Sequence, residues 1–136
     1  MKEKEYYPIV AEYFNGKGYK TFIEFQPFPN LGIRVDILAI KGDEIVSIEV
    51  KRRSLREGLG QLYWRLKFSD YVYLALPKGY AERIKRKFHQ YHSSFGIGLL
   101  SIDGDKIEVV YSSKKSPLLS KKLKNILLER LTYEVH

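Results

Sequence analysis

The stretch from residue 33 to residue 51 reads IRVDILAIKGDEIVSIEVK. Two runs rich in β-branched and apolar residues flank a short polar connection that contains Gly42, which is the pattern of a β-hairpin. Because side chains alternate between the faces of a strand, Asp36 projects among apolar neighbours, and Glu49 and Lys51 share one face. A carboxylate within an apolar strand is unfavourable unless a partner compensates it. Three charged side chains on neighbouring strands, those of Asp36, Glu49 and Lys51, therefore indicate a metal site.

The chemistry of these side chains suits a hard divalent cation. Mg2+ binds oxygen ligands, typically one or two carboxylates with waters and a substrate phosphate. Asp36 and Glu49 would supply the carboxylates, and the backbone carbonyl of Val50 a third oxygen. A bound metal lowers the pKa of water and stabilises charge on a phosphate, and Lys51 can orient the attacking water. This pattern is typical of phosphodiester hydrolysis, and an ordinary amphipathic hairpin is the alternative.

Asp36, followed thirteen positions later by Glu49-Val50-Lys51, resembles the D…(D/E)xK core of the PD-(D/E)xK nucleases. That superfamily includes restriction endonucleases, archaeal Holliday junction resolvases and RecB-type exonuclease domains. Val35 stands where proline is common in the superfamily. The resemblance extends through the order of elements over roughly residues 3–111. It implies a restriction-endonuclease-like fold and Mg2+- or Mn2+-dependent cleavage of DNA.

The same resemblance implies two further site residues. Many relatives carry a glutamate on the first helix that joins the metal site, for which Glu5 is favoured and Glu3 and Glu12 are alternatives. Gln61 is similar to the glutamine of the QxxxY pattern in RecB-type nucleases and would position water or phosphate. The residue four positions later is Arg65 rather than tyrosine, so the chain departs from that subfamily here.

Apolar periodicity and turn signals predict the remaining elements. Helices are expected at residues 5–17, 54–67 and 80–92 and from Pro117 onward, and strands at 19–28, 33–40, 45–51, 70–77, 96–102 and 106–111. The order αβββαβ, followed by a helix, a two-strand extension and a C-terminal helix, indicates an α/β fold with a mixed central sheet flanked by helices. Strand–helix–strand connections are almost always right-handed, so the strand at 70–77 should lie parallel to the Glu49 strand.

The charge of the chain favours a polyanionic partner. Lys and Arg number 24 against 16 Asp and Glu, which gives a formal net charge of +8. Neutralising phosphates with such cations releases condensed counterions. Basic side chains cluster after Lys51 and along two helices, where solvated surface is the alternative to DNA contact. The predicted nucleic-acid-binding residues are Arg52, Arg53, Arg56, Arg65, Arg83 and Lys87.

Composition excludes several other classes. A length of 136 residues predicts one domain over residues 1–136. No apolar run approaches the roughly 20 residues of a membrane span, and the charged N-terminus does not resemble a signal peptide, so a cytoplasmic location is expected. The absence of cysteine excludes disulfides and thiolate chemistry. An apolar stripe over residues 118–131 would either pack on the core or form the seam of a homodimer.

The sequence therefore favours a Mg2+- or Mn2+-dependent deoxyribonuclease, in particular an endonuclease, with DNA as its partner and no membrane association. Asp36, Glu49, Lys51 and Gln61 are its predicted catalytic residues. One alternative is a nucleic-acid-binding module of the same fold with weak or absent turnover. Another is an interaction protein that dimerises through residues 118–131 and binds no nucleic acid.

Overall fold

Six strands form one mixed sheet and four helices flank it in the computed structural model, which describes residues 2–135. The elements are α1 (Glu3–Asn15), β1 (Lys20–Phe28), β2 (Ile33–Lys41), β3 (Glu44–Val50), α2 (Leu55–Phe68), β4 (Tyr71–Pro77), α3 (Lys78–Phe95), β5 (Gly98–Asp103), β6 (Lys106–Tyr111) and α4 (Lys121–Val135). The strands lie side by side in chain order. The predicted α/β class and order of elements are confirmed.

The strand pairing of the sheet switches from antiparallel to parallel at β4. Strands β1, β2 and β3 form an antiparallel meander. After α2 crosses over, β4 pairs parallel with β3, as the crossover rule predicts. Strand β5 also pairs parallel, with β4, and β6 returns antiparallel to β5. The predicted two-strand extension thus continues the central sheet.

Helices cover both faces of the sheet, and the alternation within the strands decides which residue contacts which helix. On β4, Tyr71, Tyr73 and Ala75 pack with α1 residues such as Val10 and Phe14. The alternating β4 residues pack with α2 and α3 instead; these are Val72, Leu74 and Leu76. Strand β4 is therefore buried on both sides, as its continuous apolar sequence predicts.

The C-terminal helix packs on the core. Leu127 and Leu131 are buried, and they join a cluster with Ile45 and Phe68. Of the two alternatives for the apolar stripe, packing on the core accounts for these two leucines. No helix within residues 2–135 is long and apolar enough to cross a membrane.

Three helix starts differ from the prediction, and the start of α3 is at Lys78, two residues before the predicted residue 80. Helix α1 begins at Glu3 and contains Pro8, because Glu5 accepts a hydrogen bond from the Lys2 N–H (3.1 Å) and caps the helix earlier than the proline suggests. Helix α4 begins at Lys121 rather than Pro117. The preceding segment is held in place by Ser116, which donates to the carbonyls of Asp70 and Leu66.

Candidate active site

The register of the β2–β3 hairpin brings Asp36 and Glu49 together. Ile37 of β2 pairs with Ile48 of β3 in this antiparallel hairpin. The next pair away from the turn is therefore Asp36 on β2 and Glu49 on β3, which lie across from each other. The Asp36 N–H donates to Glu49 Oε2 at 3.1 Å. In return, the Val50 N–H donates to Asp36 Oδ2 at 2.8 Å. The two carboxylates are thus held side by side by backbone hydrogen bonds at the ends of neighbouring strands.

Tyr7 of α1 completes the support of Asp36. Its hydroxyl donates to Asp36 Oδ1 at 2.9 Å. Burial of Tyr7, followed by the adjacent charge of Asp36, raises the pKa of the phenol, so Tyr7 stays a hydrogen-bond donor. This residue was not predicted from the sequence. Its spacing to Val10 and Phe14, which places all three on one helix face, was the available signal.

Glu49 is a carboxylate in an unfavourable environment. Only 1% of the residue is exposed. Burial, and then the charge of Asp36, raise its pKa to about 7, against the opposing effects of Arg65, the Asp36 N–H and Lys51. A carboxylate shifted by desolvation and a charged neighbour is a candidate for a functional site. Either a proton or a bound cation would offset the penalty of holding the Glu49 carboxylate buried next to Asp36.

Arg65 lies inside this cluster. It is buried, and its Nε is 3.4 Å from Glu49 Oε2. The rest of the guanidinium donates to the backbone carbonyls of Gln61 (2.7 Å) and Arg34 (2.6 Å). Arg65 was predicted to lie on the DNA-binding surface, whereas in the structure it fixes Glu49. This position is where the QxxxY pattern would have tyrosine.

Gln61 lies one helical turn from Arg65 on the same helix. Its side-chain oxygen Oε1 is buried and has no hydrogen-bond partner among the described residues. Most buried polar atoms are hydrogen-bonded, so such an atom calls for a ligand or a water molecule. The role expected for Gln61, positioning water or phosphate, stays a prediction.

Lys51 reaches the site beneath α2. The residue is buried, and its Nζ is 3.4 Å from Glu57 Oε1. Helix α2 can lie this close because residue 58 is glycine. A Cβ at Gly58 would be 3.1 Å from Lys51 Cγ and 2.8 Å from Leu74 Cδ1. Close contact with the sheet therefore accounts for a glycine inside this helix.

Glu24 is a further acid beside the cluster that was not predicted from the sequence. The pairing of Ile23 with Ile37 and of Phe25 with Val35 places Glu24 next to Asp36. Its φ of 54° is in the left-handed region, which is unusual for a residue with a side chain. Its Oε1 forms ion pairs with Lys4 (3.2 Å) and Arg34 (3.8 Å). Nothing in the sequence distinguishes it from an ordinary strand residue.

The first-helix glutamates occupy different places. Glu3 accepts the backbone N–H of Arg52 at 3.0 Å, directly after the end of β3. Glu5 is exposed and uses its carboxylate to cap α1 at Lys2, and Glu12 is exposed near Asp105 in another hollow. Of the three candidates, Glu3 is therefore the one that contacts the segment following the site.

The remaining basic residues predicted to bind DNA line two hollows next to the site. One has a volume of about 660 Å3 and contains Arg52, Arg53 and Arg83. The other has a volume of about 700 Å3 and contains Arg53, Arg56 and Lys87. They follow Lys51 along the chain and continue onto α3.

The donor set is compatible with a hard cation. No group of three or more Asp, Glu, His or Cys side chains is placed to hold a metal in the part of the chain that the structure describes. Mg2+ needs only one or two carboxylates when waters and a phosphate complete its coordination. Asp36 and Glu49 are adjacent, and a cation between them would offset the two causes that raise the pKa of Glu49, its burial and the charge of Asp36.

Comparison with known proteins defines the fold and no more. No family model and no curated protein match the sequence. The structure is similar to that of the SPO1766 protein of unknown function from Silicibacter pomeroyi, with a TM-score of 0.72. The similarity covers 99% of this chain and 87% of that protein at 19% sequence identity. At this level of identity the two share an architecture, a mixed α/β sheet with flanking helices.

Proposed function

We propose that this protein is a metal-dependent DNA nuclease, acting as an endonuclease, with the restriction-endonuclease-like arrangement of the PD-(D/E)xK superfamily. The observation that carries the proposal is the hydrogen bond between the Asp36 N–H and Glu49 Oε2, which holds two acids together at the ends of adjacent strands. Lys51 lies two residues beyond Glu49, and basic hollows begin immediately after it. Acids, lysine and cationic surface together suit hydrolysis of a phosphodiester.

Asp36, Glu49 and the carbonyl of Val50 would hold Mg2+ or Mn2+. When bound, the metal would lower the pKa of a coordinated water and offset charge on the scissile phosphate. Tyr7 orients Asp36, and Arg65 orients Glu49. Groups that do not contact the metal commonly orient its ligands in this way.

Two side chains would act on the reacting groups themselves. Lys51 supplies a point charge that steadies the attacking water and the phosphate oxygens as charge develops. For this, its Nζ leaves Glu57, an exposed partner at 3.4 Å. The buried Oε1 of Gln61, which has no hydrogen-bond partner within residues 2–135, is suited to accept a hydrogen bond from that water.

The proposal is tested by incubating the protein with single-stranded, duplex and branched DNA in Mg2+, Mn2+ or a chelator. Cleavage should require metal. Asp36→Asn, Glu49→Gln and Lys51→Ala should each lower its rate roughly a hundredfold or more while retaining DNA binding. Glu108→Gln on exposed β6 is the matched control and should cleave like the wild type. Full activity of the Glu49 or Lys51 variant, or cleavage in chelator, would overturn the assignment.

A binding module of the same fold is the second candidate. It is favoured by the hydrogen bonds that already satisfy both oxygens of Asp36, from Tyr7 and Val50. A cluster that is internally satisfied can be structural. Salt-dependent retention of DNA without metal-dependent cleavage would support this alternative.

A further inference from the structure

The two basic hollows adjoin, because Arg53 and Tyr80 line both, and together they make one basic concave surface. We call it the Tyr80 groove. It runs from the end of β3, past the start of α2, and along α3. Its charged and aromatic lining residues are Tyr6, Arg52, Arg53, Arg56, Tyr80, Arg83, Lys87 and Tyr91.

The charge of the groove is of one sign. Arginine and lysine provide all the formal charge, and no acidic side chain lines either hollow within residues 2–135. The chain as a whole carries 16 Asp and Glu, so the sign does not follow from composition alone. A concave surface lined by cations attracts and retains a polyanion.

Tyrosines are interleaved with these cations, and Tyr80 at the centre is held in a fixed position. Its hydroxyl accepts a hydrogen bond from the Leu55 N–H at 3.0 Å. The Arg83 guanidinium lies 5.3 Å from the centre of its ring. Farther along α3, Tyr91 packs against Phe88 with the ring centres 6.1 Å apart. Tyr80 is therefore fixed through its hydroxyl, and Tyr91 is fixed through a ring contact.

One end of the groove adjoins the carboxylates. Tyr6 directly precedes Tyr7, the residue that donates to Asp36. Arg52 directly follows Lys51, and its N–H is bound by Glu3. This end of the groove is therefore lined by direct chain neighbours of two residues of the proposed site, Tyr7 and Lys51.

We propose that the Tyr80 groove binds an unpaired segment of DNA, with the phosphates on the arginines and lysine and the bases stacked on the tyrosines. In a duplex the base faces are covered by their neighbours, so a duplex can engage the cations but cannot stack its bases on the tyrosines. Cationic grooves with aromatic platforms are the general solution for single strands. The substrate class is therefore DNA with a single-stranded region. The choice of DNA among polyanions rests on the proposed function.

Equilibrium binding to labelled single-stranded and duplex DNA of the same sequence, in chelator, tests this inference. Tyr80→Leu and Tyr91→Leu should each weaken single-strand binding about 5- to 150-fold, the range of one lost stacking contact. Duplex binding should change less than about twofold. Tyr80→Phe is the matched control, because it keeps the ring and loses only the hydrogen bond to Leu55, and it should bind the single strand nearly as tightly as the wild type.

Arg56→Ala separates charge from stacking. It should weaken binding to single strand and duplex alike and reduce the slope of log affinity against log salt by about 0.7 for the single strand. If Tyr80→Leu does not fold, judged by circular dichroism, Tyr91→Leu decides the question. Tyrosine variants that bind the single strand like the wild type, or lose both forms of DNA equally, would overturn the inference.

The two proposals fail separately. Metal-dependent cleavage, combined with tyrosine variants of unchanged affinity for DNA, would refute the proposed role of the groove and support the nuclease proposal. Tyrosine-dependent binding of single strands, without cleavage in any metal, would refute the nuclease proposal and support a single-strand-binding protein.

Discussion

Glu49 is held in the folded protein at the expense of stability. Buried carboxylates are unfavourable, and a second acid adjacent to Glu49 adds to this. Hydrogen bonding to the Asp36 N–H and the ion pair with Arg65 offset only part of the penalty, since the pKa of Glu49 is still raised to about 7. Residues of this kind are expected where function requires an arrangement that folding alone would not select.

Replacing Glu49 with glutamine should therefore stabilise the metal-free protein at high pH. An ordinary glutamate has a pKa of 4.5, so between pH 4.5 and about 7 the folded state holds a proton that the unfolded state has released. The stability that this proton provides is present at pH 4.5 and lost as pH rises through about 7. Glu49→Gln lacks this loss, so its free energy of unfolding at pH 8 should exceed that of the wild type by on the order of 3 kcal/mol.

Urea denaturation in chelator at pH 5 and pH 8 measures the effect. The difference between Glu49→Gln and the wild type should be small at pH 5 and large at pH 8. Glu108→Gln on exposed β6 should show no such change with pH. A Glu49→Gln protein less stable than the wild type at both pH values would show that Glu49 is a structural ion-pair partner of Arg65, contrary to the prediction.

At the scale of elements, the contact of α2 with the end of β3 positions Lys51. Gly58 is the residue that permits it, since a Cβ there would meet Leu74 Cδ1 at 2.8 Å and Lys51 Cγ at 3.1 Å. A Cβ at Gly60, two residues on, would meet nothing within 4 Å among the described residues. Two glycines of one helix thus have opposite environments.

Substituting alanine at each glycine should change stability in opposite directions. Gly60→Ala should stabilise by about 0.5–1 kcal/mol, because alanine is the better helix former. Gly58→Ala gains the same propensity but overpacks a buried contact, which typically destabilises by about 1–3 kcal/mol. If the proposed nuclease function holds, this variant should also slow DNA cleavage, because the added methyl group displaces Lys51. Thermal or urea unfolding of both variants checks the sign, and stabilisation by Gly58→Ala would contradict the packing described here.

The elements that the sequence predicts well are those that local pattern specifies. The β2–β3 hairpin follows from its alternation and turn, and the adjacency of Asp36 and Glu49 follows from that register. Residues brought in from elsewhere were not predictable in the same way. Arg65 could be recognised as basic, but its burial depends on how α2 packs. Glu24 lies beside Asp36 through the register of β1 and β2, and no local signal in the sequence marks it as a site residue.

The predicted starts of α1 and α4 were wrong for a related reason. The start of α4 is set at Ser120, whose hydroxyl accepts the Leu123 N–H at 3.3 Å and whose own N–H donates to the carbonyl of Lys67, a distant residue, at 2.7 Å. Pro117 is a local signal, and this tertiary contact overrides it. The start of α1 is different, because its cap by Glu5 is local and competed with the signal from Pro8.

Across the whole molecule, Asp70 joins the C-terminal part of the chain to the sheet. Its carboxylate accepts the Ile45 N–H at 2.8 Å and contacts the ammonium groups of Lys124 (2.9 Å) and Lys115 (3.0 Å). Its carbonyl accepts the N–H of Ser116. Only 1% of Asp70 is exposed, so a single buried residue holds β3, the segment before α4 and α4 itself.

This arrangement predicts how the protein responds to acid. Burial by itself would raise the pKa of Asp70, but the Ile45 N–H, Lys124 and Lys115 outweigh it and hold the pKa below its usual range. An acid of depressed pKa stabilises the fold above its unfolded pKa of about 4, and this stabilisation is lost as pH falls further. Asp70→Asn should destabilise the protein by roughly 3 kcal/mol at pH 7, because it leaves Lys124 without its counter-charge. Between pH 4 and pH 2 the variant should lose less stability than the wild type.

The two lysines provide the internal comparison for this prediction. The Lys124 side chain is 14% exposed and that of Lys115 is 63% exposed. Lys124→Met should therefore destabilise the protein clearly, whereas Lys115→Met should change little, since exposed ion pairs are weak. Urea unfolding of the three variants at pH 7, with α4 followed by hydrogen exchange, measures this directly. If Asp70→Asn matches the wild type in stability while α4 stays protected, the apolar contacts of Leu127 and Leu131 suffice to dock the helix and the ion pair is dispensable.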